Sequence, residues 1–384
     1  MTSVLLIDTS FAARPVHDFL LEQGFDVWTM GNRPEDLLAR RNPERYIQAD
    51  YSSVAEVQAH VDRLGFDYVV PGCTDVSIDT AIQLTGIKTA FDAPETYDRL
   101  ANKARFRQLC AELGVCAPGR VMEAELPLAG ALIAKPSVSF SGRGITVFDG
   151  ADQAAAAEAL ALAKAESRDG KALMETFVEG QLYSFSAFLE GRKVARSVIV
   201  REDGSVTPFA VDTSYVDGDF PEAGIAEVRR SVERIAEALQ LVDGLLHVQF
   251  IWDGALPWLI EVSRRCPGDL YPWLVQLGTG LRHAARYASY FVGIGPPADQ
   301  SSKQRHVLRH TVTAAHRNYE LLQCRTAQPL LEFHALAKLG REAPPNDRID
   351  RVGLVFFEYE KKSELVAAHE ALVCRQILAT EAEV

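Results

Sequence analysis

The sequence is poor in cysteine, and the six it has form no pattern. Cys73, Cys110, Cys116, Cys266, Cys324 and Cys374 are scattered over 384 residues with no C-x-x-C. That spacing argues against a disulfide scaffold and a zinc site, and reduced, buried thiols are expected. No apolar run approaches the roughly 20 residues of a membrane span. The start, Met1-Thr2-Ser3-Val4-Leu5-Leu6-Ile7-Asp8, lacks a basic segment and has too short an apolar run for a signal peptide. A soluble, cytoplasmic protein with no membrane partner is expected. Positive charge is also in deficit: 40 Lys and Arg stand against 52 Asp and Glu, a net charge of -12. Such a surface repels nucleic acid, whereas a local convergence of basic groups still admits a small anion. Two nucleotide-binding signatures are missing. The turn after the first apolar run, Asp8-Thr9-Ser10-Phe11-Ala12-Ala13, has no G-x-G-x-x-G, which argues against a dinucleotide, and no G-x-x-x-x-G-K-[ST] occurs anywhere.

The length that remains is too great for one small core and implies two or three domains. Residues 4–7 read as a buried strand, 15–23 as a helix and 25–29 as a second strand. A helix capped by Ser53 runs to Leu64 and stops at Gly65, and 66–70 form a third strand. This alternation predicts a parallel, doubly wound unit over residues 1–95. Asp75, just past Pro71-Gly72, reads as a helix N-cap or as a substrate contact. A single helix is expected over 98–113, short strands at 132–134, 145–148 and 172–174, and an alanine-rich surface helix at 151–165. A hairpin over 182–200 turning at Glu190-Gly191, an amphipathic helix at 224–240, and a second hairpin, 245–252 and 256–262, joined by Asp253-Gly254, follow. Strands at 306–313 and 352–359 and a helix at 363–372 complete the chain.

Two segments carry chemistry. Lys135 ends a strand and enters the loop Ser137-Val138-Ser139-Phe140-Ser141-Gly142-Arg143-Gly144. Small residues let backbone N–H groups turn around phosphate oxygens, with Lys135 and Arg143 as cations. Taken alone, the loop reads equally as a mobile hairpin with solvent-facing cations. The second hairpin offers Gln249 on one strand and Glu261 on the next, oxygen donors suited to magnesium. Ser263 and Arg265 follow Glu261 in strand alternation. Singly, Glu261 reads as a strand-end charge and Arg264-Arg265 as a solvated basic pair.

In order, the lysine, the Ser/Gly loop, Met174-Glu175-Thr176-Phe177-Val178-Glu179-Gly180, Gln249 and Ile260-Glu261-Val262-Ser263-Arg264-Arg265 are similar to the ATP-grasp superfamily. The closest likeness is to its carbamoyl phosphate synthetase, biotin carboxylase and amino-acid ligase branch, over roughly residues 1–300. The resemblance implies an α/β and α+β chain with an N-terminal parallel doubly wound pre-ATP-grasp domain (1–95). An ATP-grasp domain (96–300, small lobe about 118–180), whose two lobes clamp ATP, and a C-terminal α+β lobe (301–384) follow. It further implies ATP-dependent ligation of a small carboxylate to a small amine through an acyl phosphate, with magnesium or manganese. A homodimer is compatible with it.

By the same resemblance Lys103 and Lys135 are nucleotide lysines, and Ser139, Ser141, Gly142, Arg143 and Gly144 form the phosphate loop. Glu175, Phe177 and Val178 form the adenine-reading hinge. Gln249, Glu261 and Ser263 hold metal, and Arg265 holds the transferred phosphoryl group or the substrate carboxylate. Two positions depart from the pattern: Leu182 replaces a ribose-binding acid, for which Glu179 is the nearest stand-in, and Ser263 replaces an asparagine. Asp269 and Tyr271 lie just past the metal strand and are expected to touch substrate. His247, Tyr215, Arg196, Trp252 and Trp258 read as pocket or packing residues. Bicarbonate or formate activation and a non-catalytic nucleotide binder are the competing readings.

Overall fold

The computed structural model describes residues 1–138, 142–206, 209–300, 304–314, 321–336, 350–377 and 379–383. The N-terminal sheet is wholly parallel. Its strands are β1 (Ser3–Ile7), β2 (Asp26–Gly31), β3 (Tyr46–Gln48) and β4 (Tyr68–Pro71), in the order β3-β2-β1-β4. Helices α1 (Arg14–Glu22), α2 (Leu37–Arg41), α3 (Val54–Leu64) and α4 (Asp75–Ala81) connect and flank these strands. Val4 and Leu6 pack with Val16, Phe19 and Leu20 of α1, while Leu5 and Ile7 pack with Val57 and Val61 of α3. Both faces of β1 are thus covered, which is why its sequence is an unbroken apolar run. Ser53 Oγ accepts from Glu56 N–H at 3.3 Å, and Gly65 closes α3 in the left-handed region. The cap of α4 differs from expectation. Thr74 Oγ1 accepts from Ser77 N–H at 3.1 Å, so Asp75 is the first helical residue and its carboxylate is left for another partner.

The single helix expected over 98–113 is two, α5 (Pro94–Ala101) and α6 (Lys103–Leu113). Asn102 breaks the run by leaving helical geometry (φ -79°, ψ 113°), and its Oδ1 accepts from Ala104 and Arg105 N–H. Asparagine caps better than it propagates a helix. The break places Lys103 in the first turn of α6.

A small antiparallel sheet follows, of β5 (Arg120–Val121), β6 (Ala131–Pro136), β7 (Thr146–Asp149) and β8 (Ala172–Thr176), in the order β5-β8-β6-β7. Helix α7 (Gln153–Ala165) covers it. Its alanines are not mere surface: Ala156, Ala159 and Ala163 are buried with Leu132, Ala134 and Met174.

The large sheet is built from β9 (Gln181–Glu190), β10 (Lys193–Asp203), β11 (Thr213–Val216), β12 (Gly244–Trp252) and β13 (Pro257–Ser263). Beyond β14 (His306–Ala314), a short pair is formed by β15 (Leu321–Arg325) and β18 (Ala379–Glu383). The strands β16 (Leu330–Ala335) and β17 (Asp350–Tyr359) complete the large sheet, in the order β13-β12-β9-β10-β11-β14-β17-β16. Alternation divides its faces. Tyr183, Phe185, Ala187 and Leu189 of β9 join Val228, Val232 and Ile235 of α8 (Glu222–Ala238) in one core. The intervening Ser184 and Ser186 point the other way, toward α9 (Tyr271–Thr279), which precedes α10 (His283–Phe291). Helix α11 (Lys362–Val373) packs on the far strands. Among the described residues no helix is long and apolar enough to cross a membrane.

Candidate active site

The polar face of the large sheet and the underside of the small one enclose a cavity of about 530 Å³. Lys135 enters it from β6, whose pairing with β8 sets Lys135 opposite Leu173. The ammonium pairs with the carboxylate of Glu175, which is fully buried. Arg107 of α6 approaches the same carboxylate, Nε 2.5 Å from Oε1, and donates from Nη2 to Ile260 C=O at 2.8 Å. Burial pulls the Lys135 ammonium down to about 8, with the Glu175 charge opposing it. The Glu175 side chain is therefore committed to two cations and is not free to read a base in the way the resemblance implied. Beside it, Thr176 N–H donates to Gly119 C=O and Phe177 N–H to Ala131 C=O, whereas Val178 N–H has no partner among the described residues. Phe177 and Val178 line the cavity.

Gly142 and Gly144 of the Ser/Gly loop both have positive φ, 69° and 67°. A Cβ on Gly142 would lie 2.6 Å from Phe209 C=O, so only glycine fits both the dihedral and the space. Arg143 lines the cavity beside Gly142. Ser139 and Ser141 lie outside the described residues. Glu179 is exposed and does not line the cavity, while Leu182 does. An acid does lie near Leu182: Gln181 Nε2 donates to both carboxylate oxygens of Asp203, at 3.1 Å each.

The second hairpin sets Gln249 directly opposite Glu261 and His247 opposite Ser263. Gln249 Nε2 donates to Glu202 Oε2 at 2.6 Å, which leaves the amide oxygen for another partner. Glu202 is buried; burial pushes its carboxyl up, and hydrogen bonds from Ser184 and Gln249 oppose this. Lys103 Nζ is 3.7 Å from Glu261 Oε2. Ser263 Oγ accepts from Arg265 N–H at 3.1 Å. Among the described residues no three His, Cys, Asp or Glu side chains converge on one point. The oxygens of Gln249 and Glu261 therefore suit a magnesium ion shared with phosphates better than a closed protein cage.

A smaller cavity of about 170 Å³ adjoins the first, sharing Glu202, Gln249, Glu261 and Arg265 with it. Its cationic wall is Arg265 and Arg309. Arg265 Nε donates to Asp75 Oδ1 at 2.6 Å and Nη2 to Oδ2 at 3.3 Å, across from the N-terminal unit. Burial works against its charge, but Asp75 more than offsets this and the net shift is upward. Arg264 is no solvated partner of Arg265. It is buried, with Nε donating to Asp92 Oδ2 at 2.7 Å and its two other nitrogens to Leu245 and Val242 C=O. Arg309 comes from β14, donates to Ser214 Oγ and to Asp269 C=O, and is lowered by burial against the pull of Asp269 and Glu202.

Asp269 has left-handed φ of 54°, as does Leu270 at 53°, and its carboxylate pairs with Arg351. Such strain is held only where surrounding contacts fix it. The Tyr271 hydroxyl bonds to Ser184 Oγ (3.0 Å) and Ser186 Oγ (3.3 Å), and Ser186 Oγ in turn to His247 Nδ1 (2.7 Å). Burial holds His247 neutral, far below its usual range. Tyr271, Asp269 and His247 thus share one small cavity. Tyr215 instead packs on His369, Arg196 is exposed beside Asp299, Trp252 packs on Phe220, and Trp258 bonds the turn at Asp253.

Arg107, Glu202 and Arg309 were not anticipated. Glu202 sits in the same alternation as Ser184 and Gln249, so a longer β10 than expected would have exposed it.

Residues 128–271 match the family described as ATP-grasp domain. The C-terminal section of the carbamoyl phosphate synthase large chain of Aquifex aeolicus (strain VF5) is 24% identical over 205 residues, covering 50% of this chain and 38% of that one. The chain spans about half, or less, of the curated relatives it matches. Among solved structures, an L-amino acid ligase from Bacillus licheniformis superposes with a TM-score of 0.75 at 17% identity, covering 100% of this chain and 99% of the other. A biotin carboxylase–β-γ-ATP complex from Campylobacter jejuni superposes with a TM-score of 0.73 at 14% identity, covering 99% and 92%. At these identities the superpositions establish the fold.

Proposed function

The chain is an ATP-grasp protein, and from that premise we propose that it is an ATP-dependent ligase that joins a small carboxylate to an amine through an acyl phosphate. One observation carries this reading: the lysine-lined cavity and the arginine-lined cavity meet at Gln249, Glu261 and Arg265. A nucleotide whose base lies at the Val178 amide and whose phosphates run past Lys135, Gly142 and Arg143 would bring its terminal phosphate to that junction. A carboxylate held by Arg265 and Arg309 would lie beside it.

A carboxylate resists attack by an amine until its oxygen is turned into a leaving group, and phosphorylation does this. The residues contribute positioning and charge rather than covalent chemistry. Lys135 and Lys103 oppose the phosphate charge, Arg265 bridges phosphoryl group and acid, and neutral His247 with Tyr271 orients the acid without repelling it. Glu261 and Gln249 would hold a magnesium ion, whose charge would add to the neutralisation of the phosphates. Gly142 and Gly144 allow the loop to lie close over the phosphates and exclude water.

Lys135→Ala and Glu261→Ala are each expected to abolish ADP formation while circular dichroism stays that of the native protein. Full turnover in either variant rules the assignment out. The substrates follow from ADP release measured against pooled carboxylates with and without pooled amines. The small size of the arginine-lined cavity favours one specific second reading, activation of bicarbonate or formate. That reading requires either anion alone to stimulate ADP release.

A further inference from the structure

A third cavity, of about 410 Å³, lies between the N-terminal unit and the clamp. It opens toward the nucleotide cavity through Asp75, Lys103 and Glu261, which line both. Its remaining charges are mostly acidic: Asp79 of α4 and Asp98 of α5, with Arg168 also in the lining. The carboxylates are not equivalent. Asp75 is held by Arg265, Glu261 faces Lys103, and Asp98 pairs with Arg105. Asp79 makes no side-chain hydrogen bond and no ion pair among the described residues, although it is open to the cavity.

A second observation is independent of the acids. Tyr97 of α5 is 4% exposed, yet its hydroxyl has no hydrogen-bond partner among the described residues. Tyr97 lines the same cavity as Asp79 and Asp98. The ring is buried while the hydroxyl oxygen stays reachable from the cavity, where it can bond a ligand or water. Asp75 and Asp79 are four residues apart on one helix, so they share a face about 6 Å apart along the axis. Asp75 lines both this cavity and the nucleotide cavity, whereas Asp79 lines this one alone of the two.

We propose that this cavity receives the amine substrate, and that this substrate carries a second cationic group, an ammonium or guanidinium, held by the Asp79 carboxylate and the Tyr97 hydroxyl. The reacting amine then lies at the Asp75–Glu261 end, beside the acyl phosphate, and the distal cation one helical turn away. A diamine or a basic amino acid has this form; a neutral alkylamine lacks the distal charge. Enclosure by the surrounding protein, followed by the Asp75 charge, pushes the Asp79 carboxyl up to about 6, with Arg168 opposing and Asp98 adding to the rise. The distal anchor is therefore charged above that pH and lost below it.

The inference rests on the ligase reading, and one experiment separates the two. ADP release is measured with the carboxylate pool and either a series of diamines and basic amino acids or monoamines of matched length. The expected result is a kcat/KM for the cationic series at least about tenfold higher, consistent with a charge-assisted hydrogen bond. Asp79→Asn should bring that ratio close to one, Tyr97→Phe should lower it by less, and in the native protein it should fall as pH drops through about 6. Equal use of neutral amines, or a ratio unchanged in Asp79→Asn, overturns this inference and leaves the ligase reading standing. Failure of both amine classes to stimulate ADP release overturns the ligase reading and this inference with it.

Discussion

Lys135 is a cation kept in an unfavourable place. It is almost fully buried, its charge is sustained by Glu175, and its ammonium titrates near 8 rather than above 10. The sign of the consequence is fixed: the lysine is charged below about pH 8 and neutral above it. Nucleotide affinity should accordingly weaken by about 3–10-fold between roughly pH 7 and 9. Fluorescent-nucleotide titration across that range measures it, and Lys135→Arg, which stays charged, should give a flatter profile even if its affinity is lower. Glu175 shows where single-residue reading falls short. Its place at the hinge was evident from Met174-Glu175-Thr176-Phe177-Val178, but the direction of its carboxylate was not. That depends on Arg107, 68 residues earlier in the chain, which no local pattern connects to it.

At the scale of elements, the site is assembled from strand ends and helix starts. The hairpin of β12 and β13 was legible because Asp253-Gly254 marks the turn and alternation marks the faces. What remained open was register, which the structure resolves by pairing Gln249 with Glu261. Glu202 and Arg309 were not legible, because they join Gln249 only through the order β12-β9-β10-β11-β14. Sheet order between strands so far apart in sequence is decided by packing, not by local propensity. Asn102 is the corresponding helix feature. By ending α5 and capping α6 it aims Lys103 at Glu261. Asn102→Ala should lower unfolding free energy by about 1 kcal/mol, the usual worth of such a cap. It should also raise the KM for ATP, because the first turn that carries Lys103 frays. Urea denaturation and initial-rate kinetics on the same variant test both effects.

The molecule as a whole is held together by ion pairs that cross between its parts. Asp92, just before α5, accepts from Arg264 at the end of β13 and from Val242 N–H, and both charged side chains are buried. Removing the acid strands a buried guanidinium, so Asp92→Ala should cost about 3–5 kcal/mol in denaturant unfolding. A loss below about 1 kcal/mol would show that water reaches Arg264. The N-terminal parallel sheet, by contrast, was readable almost strand by strand, because its apolar runs and turn residues are local signals. The partner of Asp75, which read as an N-cap or a substrate contact, was not, since Asp75 meets Arg265 across 190 residues of chain.

Glu261 lines all three cavities. On the proposed assignment, a single carboxylate facing nucleotide, acid and amine would make their binding equilibria inseparable. Whatever shifts its field from one side alters affinity on the other two, and by thermodynamic linkage the effect is equal in both directions. Magnesium and nucleotide held there would neutralise Glu261, which would make the neighbouring cavity less repulsive to a carboxylate and the third less attractive to a cation. Synergy between nucleotide and acid, and antagonism between nucleotide and free amine, would then arise without any change of shape and favour an order in which the amine enters last.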